Sequence, residues 1–272
     1  MKQPRKHLLC LLLALWLTGV LLAGCAADTA DANADLPVIT VGCDNYPPFT
    51  YVDSDGKPVG IDVELADEAF RRMGYRPEFV TINWAEKNAL LENGVIDCIW
   101  SSFSMSGRAD EYTWAGPYMY SHQVVAVMPD SDIQTLADLA GKTVVVQATT
   151  KPESLFLDGN DPRIPEIRAL HSLQKRELIY SYLAKGYADA VAAHEISILQ
   201  FMKDYGFEFR ILEEPLEAVE LGVAFSRSDD RGIAQALSAT LEEMQADGTT
   251  RSILAGYLAD SDKYLEADGY AD

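Results

Sequence analysis

The chain has 272 residues, with 22 Lys and Arg against 42 Asp and Glu, for a formal charge of −20. An acidic surface of that size repels phosphate backbones, and no basic stripe with interleaved aromatics offsets it, so nucleic acid is not expected as a partner. The 48% of hydrophobic residues is enough to bury the core of one large or two modest α/β units.

The chain opens with Lys2, Arg5 and Lys6, then an apolar run Leu8–Ala23. About 16 apolar residues make a short helix for ~30 Å of hydrocarbon, so a cleaved secretion signal is expected rather than an uncut membrane anchor. The close of the run, Leu22-Ala23-Gly24-Cys25, resembles the lipobox of bacterial lipoproteins at all four positions. That resemblance implies a signal peptide over 1–24, acyl chains on Cys25 and a working place on the extracytoplasmic face of the cell membrane, periplasmic where the host has an outer membrane. Losing the three cations Lys2, Arg5 and Lys6 with the signal takes the formal charge from −20 to −23. Residues 25–35 form a polar, flexible tether, made after Cys25 of Ala, Asp, Thr and Asn alone. No second stretch of 18 apolar residues follows, so a soluble domain is expected.

With Cys10 cleaved away and Cys25 acylated, Cys43 and Cys98 remain. Outside the cytoplasm they could form a disulfide or stay as two buried thiols. No Cys/His spacing points to a metal site, and no cofactor is expected.

Apolar β-branched residues predict a strand over Val38–Val41, followed by the Tyr46-Pro47-Pro48-Phe49 loop and a hairpin turn at Asp53–Gly56. Apolar residues at 65, 66, 69, 70 and 73 predict a helix over Asp62–Met73, capped by Gly74. Pro77–Ile82 reads as a strand, Trp84–Glu92 as a short helix and Ile96–Trp100 as a third strand. The pattern then restarts, with strands at Val124–Met128 and Thr143–Gln147 and helices at Lys151–Leu157 and Leu173–Tyr187. Asp189–Ala193 reads as a strand, Glu195–Tyr205 as a helix capped by Gly206, and Phe209–Leu212 and Val219–Phe225 as strands. Arg231–Ala246 is a long helix ending at Gly248. Two successive α/β units without sequence repeat follow from this alternation.

Ordered pieces along nearly the whole mature chain resemble the extracellular solute-binding proteins of ABC importers, of the amino-acid type (family 3). They are Val41-Gly42-Cys43-Asp44-Asn45-Tyr46-Pro47-Pro48-Phe49, Gly60-Ile61-Asp62-Val63-Glu64-Leu65, Trp84 and Gly94-Val95-Ile96-Asp97-Cys98-Ile99. Ser101-Ser102-Phe103-Ser104-Met105-Ser106, Arg108 and Gly116-Pro117-Tyr118 continue the series. Lys142 to Gln147, Gly186-Tyr187-Ala188-Asp189-Ala190 and Ala246-Asp247-Gly248-Thr249 close it. The resemblance implies a two-lobed α/β periplasmic-binding-protein type II fold, its two sheets joined by two hinge strands with the ligand cleft between. One lobe would hold 36–121 and 221–272, the other 122–220.

The same resemblance implies capture of a small polar solute, an amino acid or related carboxylate, and its delivery to an ABC permease by a lipid-anchored monomer. Ligand contacts are expected from Asp44, Tyr46, Phe49, Trp84, Ser101, Ser102, Ser104, Arg108, Thr149, Thr150 and His194. Arg108 suits a carboxylate in bidentate geometry, and Thr149 and Thr150 precede a helix whose N–H groups face the same charge. Tyr46, Phe49 and Trp84 would form apolar walls, and the serines end a strand. Two departures stand out. Only Gly107 separates Ser106 from Arg108, where the family has two or three residues. His194 and Glu195 stand where relatives place an Asp for the ligand ammonium. Asp44 or Glu195 would then meet that ammonium, or the ligand lacks one; a simple helix cap is the other role open to His194.

His194-Glu195 opens like a zinc-protease motif, but Ile198 replaces the second His, and no nucleophile elbow or phosphate loop occurs. The chain is therefore read as a binder rather than an enzyme. The alternatives are a cleft enzyme of the cyclohexadienyl dehydratase type, or an extracellular ligand sensor, for which no output segment follows Tyr264.

Overall fold

The computed structural model describes residues 36–266. The expected signal segment, Cys25 and the whole of the expected tether, with residues 267–272, lie outside them.

Strands β1 (Val38–Cys43), β4 (Arg76–Thr81) and β5 (Cys98–Ser104) pair in parallel, with β1 between the other two. A second parallel set comprises β7 (Thr143–Gln147), β8 (Ala169–Leu173) and β9 (Ala190–His194), with β7 between the other two. Every residue of β5, β7 and β9 is buried, as expected for strands covered on both faces. Two long strands join the sets. β6 (Thr113–Val127) pairs antiparallel with β9, and β11 (Glu217–Phe225) pairs antiparallel with both β5 and β6. The full order is β4-β1-β5-β11-β6-β9-β7-β8, with β10 (Arg210–Ile211) on β6. A hairpin of β2 (Tyr51–Val52) and β3 (Pro58–Val59) stands apart, its turn tied by Asp53 Oδ1, which accepts the Asp55 and Lys57 N–H groups at 2.9 Å each.

The first lobe packs helix α1 (Ile61–Arg72) on its sheet, followed by a 3₁₀ turn over Trp84–Glu86 and helix α2 (Lys87–Glu92). The second packs α3 (Lys151–Asp158), α4 (Arg176–Ala184) and α5 (Glu195–Tyr205). The chain then returns through β11 to α6 (Ile233–Ala246) and α7 (Thr249–Ala255), which complete the first lobe's core around Phe70, Trp100, Leu237 and Leu254. The second lobe has a core on each face of its sheet, around Val145, Ile179 and Val191 on one side and Val144, Leu136 and Leu216 on the other. This is the two-lobed α/β architecture that the family resemblance implies.

Several elements differ from the expected ones. β6 begins eleven residues before Val124, because Ser121, His122 and Gln123 interrupt the apolar run that would have revealed it. The helix expected from Leu173 starts at Arg176, and Leu173 instead ends β8, a half-buried edge strand (Ala-Leu-His-Ser-Leu) with no clear period. Cys43 and Cys98 are free, buried thiols, and burial pushes the Cys43 thiol up to about 12.

Helix α1 shows how the loop before it and its own sequence agree. Its apolar stripe faces the core, Asp62 and Glu64 lie in its first turn, and Arg71 and Arg72 lie in its last, each suiting the helix dipole. Its opening N–H groups have no side-chain cap; those of Ile61 and Asp62 donate to the Pro48 and Phe49 carbonyls at 2.9 Å each. That brings the loop so close that a Cβ at Gly60 would lie 2.7 Å from the Pro48 oxygen, at a φ of 126°. Gly60→Ala is expected to lower unfolding free energy by about 2–4 kcal/mol through clash and strain. Gly56→Ala, at a φ of 79° with open space around it, should cost only about 1–2 kcal/mol. Urea denaturation of both variants checks the contrast, and equal losses would refute it.

Candidate functional site

The carboxyl ends of β1, β5, β7 and β9 converge where the two lobes face each other, the place where open α/β sheets bind ligands. A cleft of about 380 Å³, including space open to solvent, is lined there by Trp84, Ser102, Phe103, Ser104, Arg108, Gln123, Gln147, Thr150, Lys151, Arg176 and His194, among others.

Ser102 is held in an unusual backbone state, with φ at 50°. The cause lies beneath it. Asp62, in the first turn of α1 and fully buried, accepts the Ser102 N–H at 2.7 Å on one oxygen and the Tyr118 hydroxyl at 2.9 Å on the other. The Ser102 and Ser104 hydroxyls are themselves buried without a hydrogen-bond partner among the described residues. Such groups are rare and costly unless something else satisfies them.

Arg108 follows Gly107 (φ 73°) in the turn after β5. Its Nη1 donates to the Ser104 carbonyl at 3.2 Å and its guanidinium lies 5.2 Å from the centre of the Phe103 ring. No carboxylate lies within ion-pair distance of it among the described residues; Asp110 and Glu111, its neighbours in sequence, do not pair with it. Burial draws its pKa down. Trp84 stacks edge-on against Phe103 at 5.2 Å, and its indole N–H is also without a partner.

The second lobe contributes Thr150, the N-cap residue of α3, whose hydroxyl donates to the Gln147 carbonyl at 2.6 Å. His194 ends β9 and sits at the N-cap of α5 without a side-chain cap bond. Its ring faces Gln123 Nε2 at 2.8 Å through Nε2 and Ser121 Oγ at 3.2 Å through Nδ1. The amide is a donor, so His194 Nε2 accepts and Nδ1–H donates. Burial first, then the nearby Arg176 charge, takes the imidazole's pKa down to about 3, and it is neutral.

Six of the eleven expected residues thus share the cleft wall: Trp84, Ser102, Ser104, Arg108, Thr150 and His194. The structure places the other five behind it. Asp44 Oδ2 accepts from Gln147 Nε2 at 2.7 Å and Arg176 Nε at 3.3 Å. Ser101 Oγ accepts the Asp44 N–H. Tyr46 and Phe49 are packed in the first lobe's core, with the Arg176 guanidinium 3.3 Å from the Tyr46 ring centre. Thr149 (φ 57°) donates its N–H to Glu153 Oε2 at 2.5 Å, while its carbonyl and hydroxyl accept from Lys87 Nζ at 3.3 and 3.1 Å. Glu195, the other carboxylate expected to meet an ammonium, is paired with Lys263 at 2.9 Å.

Gln123, Gln147, Lys151 and Arg176 were not anticipated. Gln147 had a readable signal, a polar residue closing an apolar strand as Ser104 does. Arg176 had none, since its burial comes from a cross-lobe partner, Asp44, 132 residues away.

A family model, bacterial extracellular solute-binding proteins, family 3, matches residues 39–260, and the chain belongs to that family. Among similar proteins, PatH of Vibrio harveyi, whose name gives it only provisionally as an amino-acid ABC transporter-binding protein, is 32% identical over 231 residues, 84% of this chain and 90% of that one. A histidine-binding periplasmic protein of Salmonella typhimurium is 32% identical over 242 residues, 85% and 89% of the two chains. The crystal structure of Tv2483 bound to L-arginine superposes with a TM-score of 0.75 at 26% identity, covering 82% of this chain and 90% of that one.

Asp62 supplies a pH signature. Burial raises its carboxyl from the usual 3.8 to about 7 against the opposing pull of its two hydrogen bonds. Between those values the folded state holds a proton that the unfolded state has released, so this group makes stability fall as pH rises, by about 1.4 kcal/mol per unit. The contribution is full below pH 3.8 and gone above 7. Asp62→Asn removes the titration. Relative to the parent, the variant should therefore gain stability steadily from pH 4 to pH 7 in urea melts, and a difference flat in pH would contradict the assignment.

Proposed function

We propose that this chain is the substrate-binding component of an ABC importer, which captures an amino acid or related carboxylate and hands it to a membrane permease. One observation carries the reading. Arg108, a guanidinium without a carboxylate partner among the described residues, stands on a cleft wall that also holds polar atoms of Ser102, Ser104, Trp84, Gln123 and Gln147 that are buried and unpartnered among the same residues. An uncompensated charge and idle hydrogen-bonding groups are expensive in one place, and a polar anion answers both. The names of PatH and of the Salmonella typhimurium protein support the solute class.

In this reading Arg108 grips the carboxylate with help from the N-terminus of α3 at Thr150. Ser102 and Ser104 hold polar atoms of the ligand, and Trp84 with Phe103 walls its body. Asp44, Tyr46, Phe49, Ser101 and Thr149 support that wall from behind rather than touching the solute. The lobes comprise 36–121 with 221–266, and 122–220, with β6 and β11 as hinge strands. The signal 1–24 directs export and is removed, and the acylated Cys25 at the head of the tether 25–35 holds the protein, as a monomer, on the extracytoplasmic face of the membrane. Binding without turnover fits Glu195, which is engaged by Lys263 and so is not free to act as an acid or base beside His194.

Thermal-shift screening against a broad metabolite panel tests this directly. A true ligand at 100 times its Kd should stabilise the fold by about 2.7 kcal/mol, with a micromolar Kd near −8 kcal/mol. Arg108→Ala should weaken binding by about 10–100-fold in calorimetry, since a charge-assisted contact contributes about 1.5–3 kcal/mol, while leaving the melting temperature of the free protein within a few degrees. Unchanged affinity in that variant would remove the foundation of the proposal.

A further inference from the structure

Resting on that reading, we infer that the cleft takes a carboxylate solute that carries no free ammonium group, its second polar end being held by neutral side chains. The charged side chains on the wall are Arg108, Lys151 and Arg176, and no Asp or Glu is among the lining residues. Glu111, whose charge acts on Arg108, is not among the lining residues, and five further carboxylates behind or beside the wall are already engaged. Asp44 accepts from Gln147, Arg176 and the Asn45 N–H. Asp62 accepts from Ser102 and Tyr118. Glu153 takes the Thr149 N–H, Glu195 is paired with Lys263 at 2.9 Å, and Glu217 Oε2, which makes no hydrogen bond among the described residues, is held by the Lys151 charge at 3.2 Å.

What remains for the far end of the ligand is neutral. Gln123 spends its Nε2 on His194, and Gln147 spends its Nε2 on Asp44. Their Oε1 atoms are left buried and unpartnered, as are the Ser102 and Ser104 hydroxyls. Amide oxygens accept only, and hydroxyls both donate and accept. That set matches an amide N–H, a hydroxyl or a keto oxygen. An ammonium placed there would face the Arg108 charge with no lining carboxylate to offset it, Asp44 and Glu217 being engaged by Arg176 and Lys151, in a site where burial weakens screening. His194 does not change the balance, being neutral and already committed to Gln123 and Ser121.

Calorimetry on matched sets tests the inference with the full soluble domain. Each set comprises one L-amino acid, its N-acetyl derivative, and the 2-oxo and 2-hydroxy acids with the same side chain, run for glutamine, glutamate, leucine, histidine and arginine. At least one ammonium-free member is expected to bind ten or more times tighter than its parent amino acid, more weakly as salt is raised, and not in Arg108→Ala. Gln123→Glu, placing a carboxylate on the wall, should narrow or reverse that preference. A parent amino acid binding more tightly than every ammonium-free counterpart, still through Arg108, would overturn the inference and leave the solute-binding role standing. Failure of every compound here and in the broad panel to bind would overturn the role itself, and the inference with it. The wild-type series decides the matter even if Gln123→Glu does not fold.

Discussion

The antiparallel register between β6 and β11, running from Thr113 opposite Phe225 to Gln123 opposite Glu217, sets where everything else can stand. The pair joins the two parallel sets: β11 borders β5, and β6 borders β9. A slip by one residue would turn every side chain to the other face. Gln123 would then leave the cleft wall, and β11 would lose Leu221 and Val223 from the core. Close packing helps to pin this register. A Cβ at Gly222 would lie 2.5 Å from the Met105 sulfur, and Met105 is the residue whose N–H donates to the Glu220 carbonyl as the chain turns toward Arg108. The position of the cleft guanidinium is therefore tied to the strand pair through Met105, three residues before it.

The lobes also hold each other by polar contacts around the cleft. Asp44 reaches Arg176 and Gln147, Lys87 reaches Thr149, the Tyr46 hydroxyl accepts the His194 N–H, and Ser197 donates to the Pro47 carbonyl. Each joins an element of the first lobe to one of the second. The Asp44–Arg176 ion pair is largely buried, so the desolvation of its two charges offsets much of their attraction. Removing one partner of the Asp44–Arg176 pair costs more, because Arg176 is nearly buried against Tyr46. Such a set favours a closed arrangement without fixing it, as a hinge that opens and shuts around a solute requires. Lys87 is the most finely balanced member. Burial and the Arg108 charge draw its pKa down to about 8, so its bonds to Thr149 hold against nearby electrostatic opposition.

Much of the fold was legible because its signals were local. Helix α5 runs Glu195–Tyr205 with Gly206 in the left-handed conformation, the bounds expected from its stripe and its glycine. β7 is Thr143–Gln147 as expected, a continuous β-branched run that no helix would tolerate as well. The misplaced elements draw their order from partners distant in sequence. β6 is a strand through Ser121 and His122 because β11 pairs with it there, and β8 is a strand because β7 offers it an edge. The site divides the same way. Residues at the ends of strands or helices, such as Ser104, Thr150 and His194, could be placed at the cleft by the family resemblance, with which their local positions agree. Asp44 and Tyr46 lie in a matching motif but are turned away by Arg176, whose arrival from the other lobe leaves no local trace.

The same long-range coupling decides what kind of hydrogen bond the cleft offers. Gln123 can present its oxygen or its nitrogen to a solute, and the choice is made by His194. A neutral imidazole with Nε2 free to accept takes the Gln123 N–H, leaving the amide oxygen at the wall. A protonated ring would donate from both nitrogens and force the amide to turn over, presenting its N–H groups instead. Burial first, then Arg176, holds the ring neutral down to about pH 3, so the Gln123 N–H stays on His194 at any pH above that. The charge on Arg176 thus adds to burial at one remove: by helping to keep a proton off His194, it helps to keep the Gln123 amide oxygen, an acceptor, on the cleft wall.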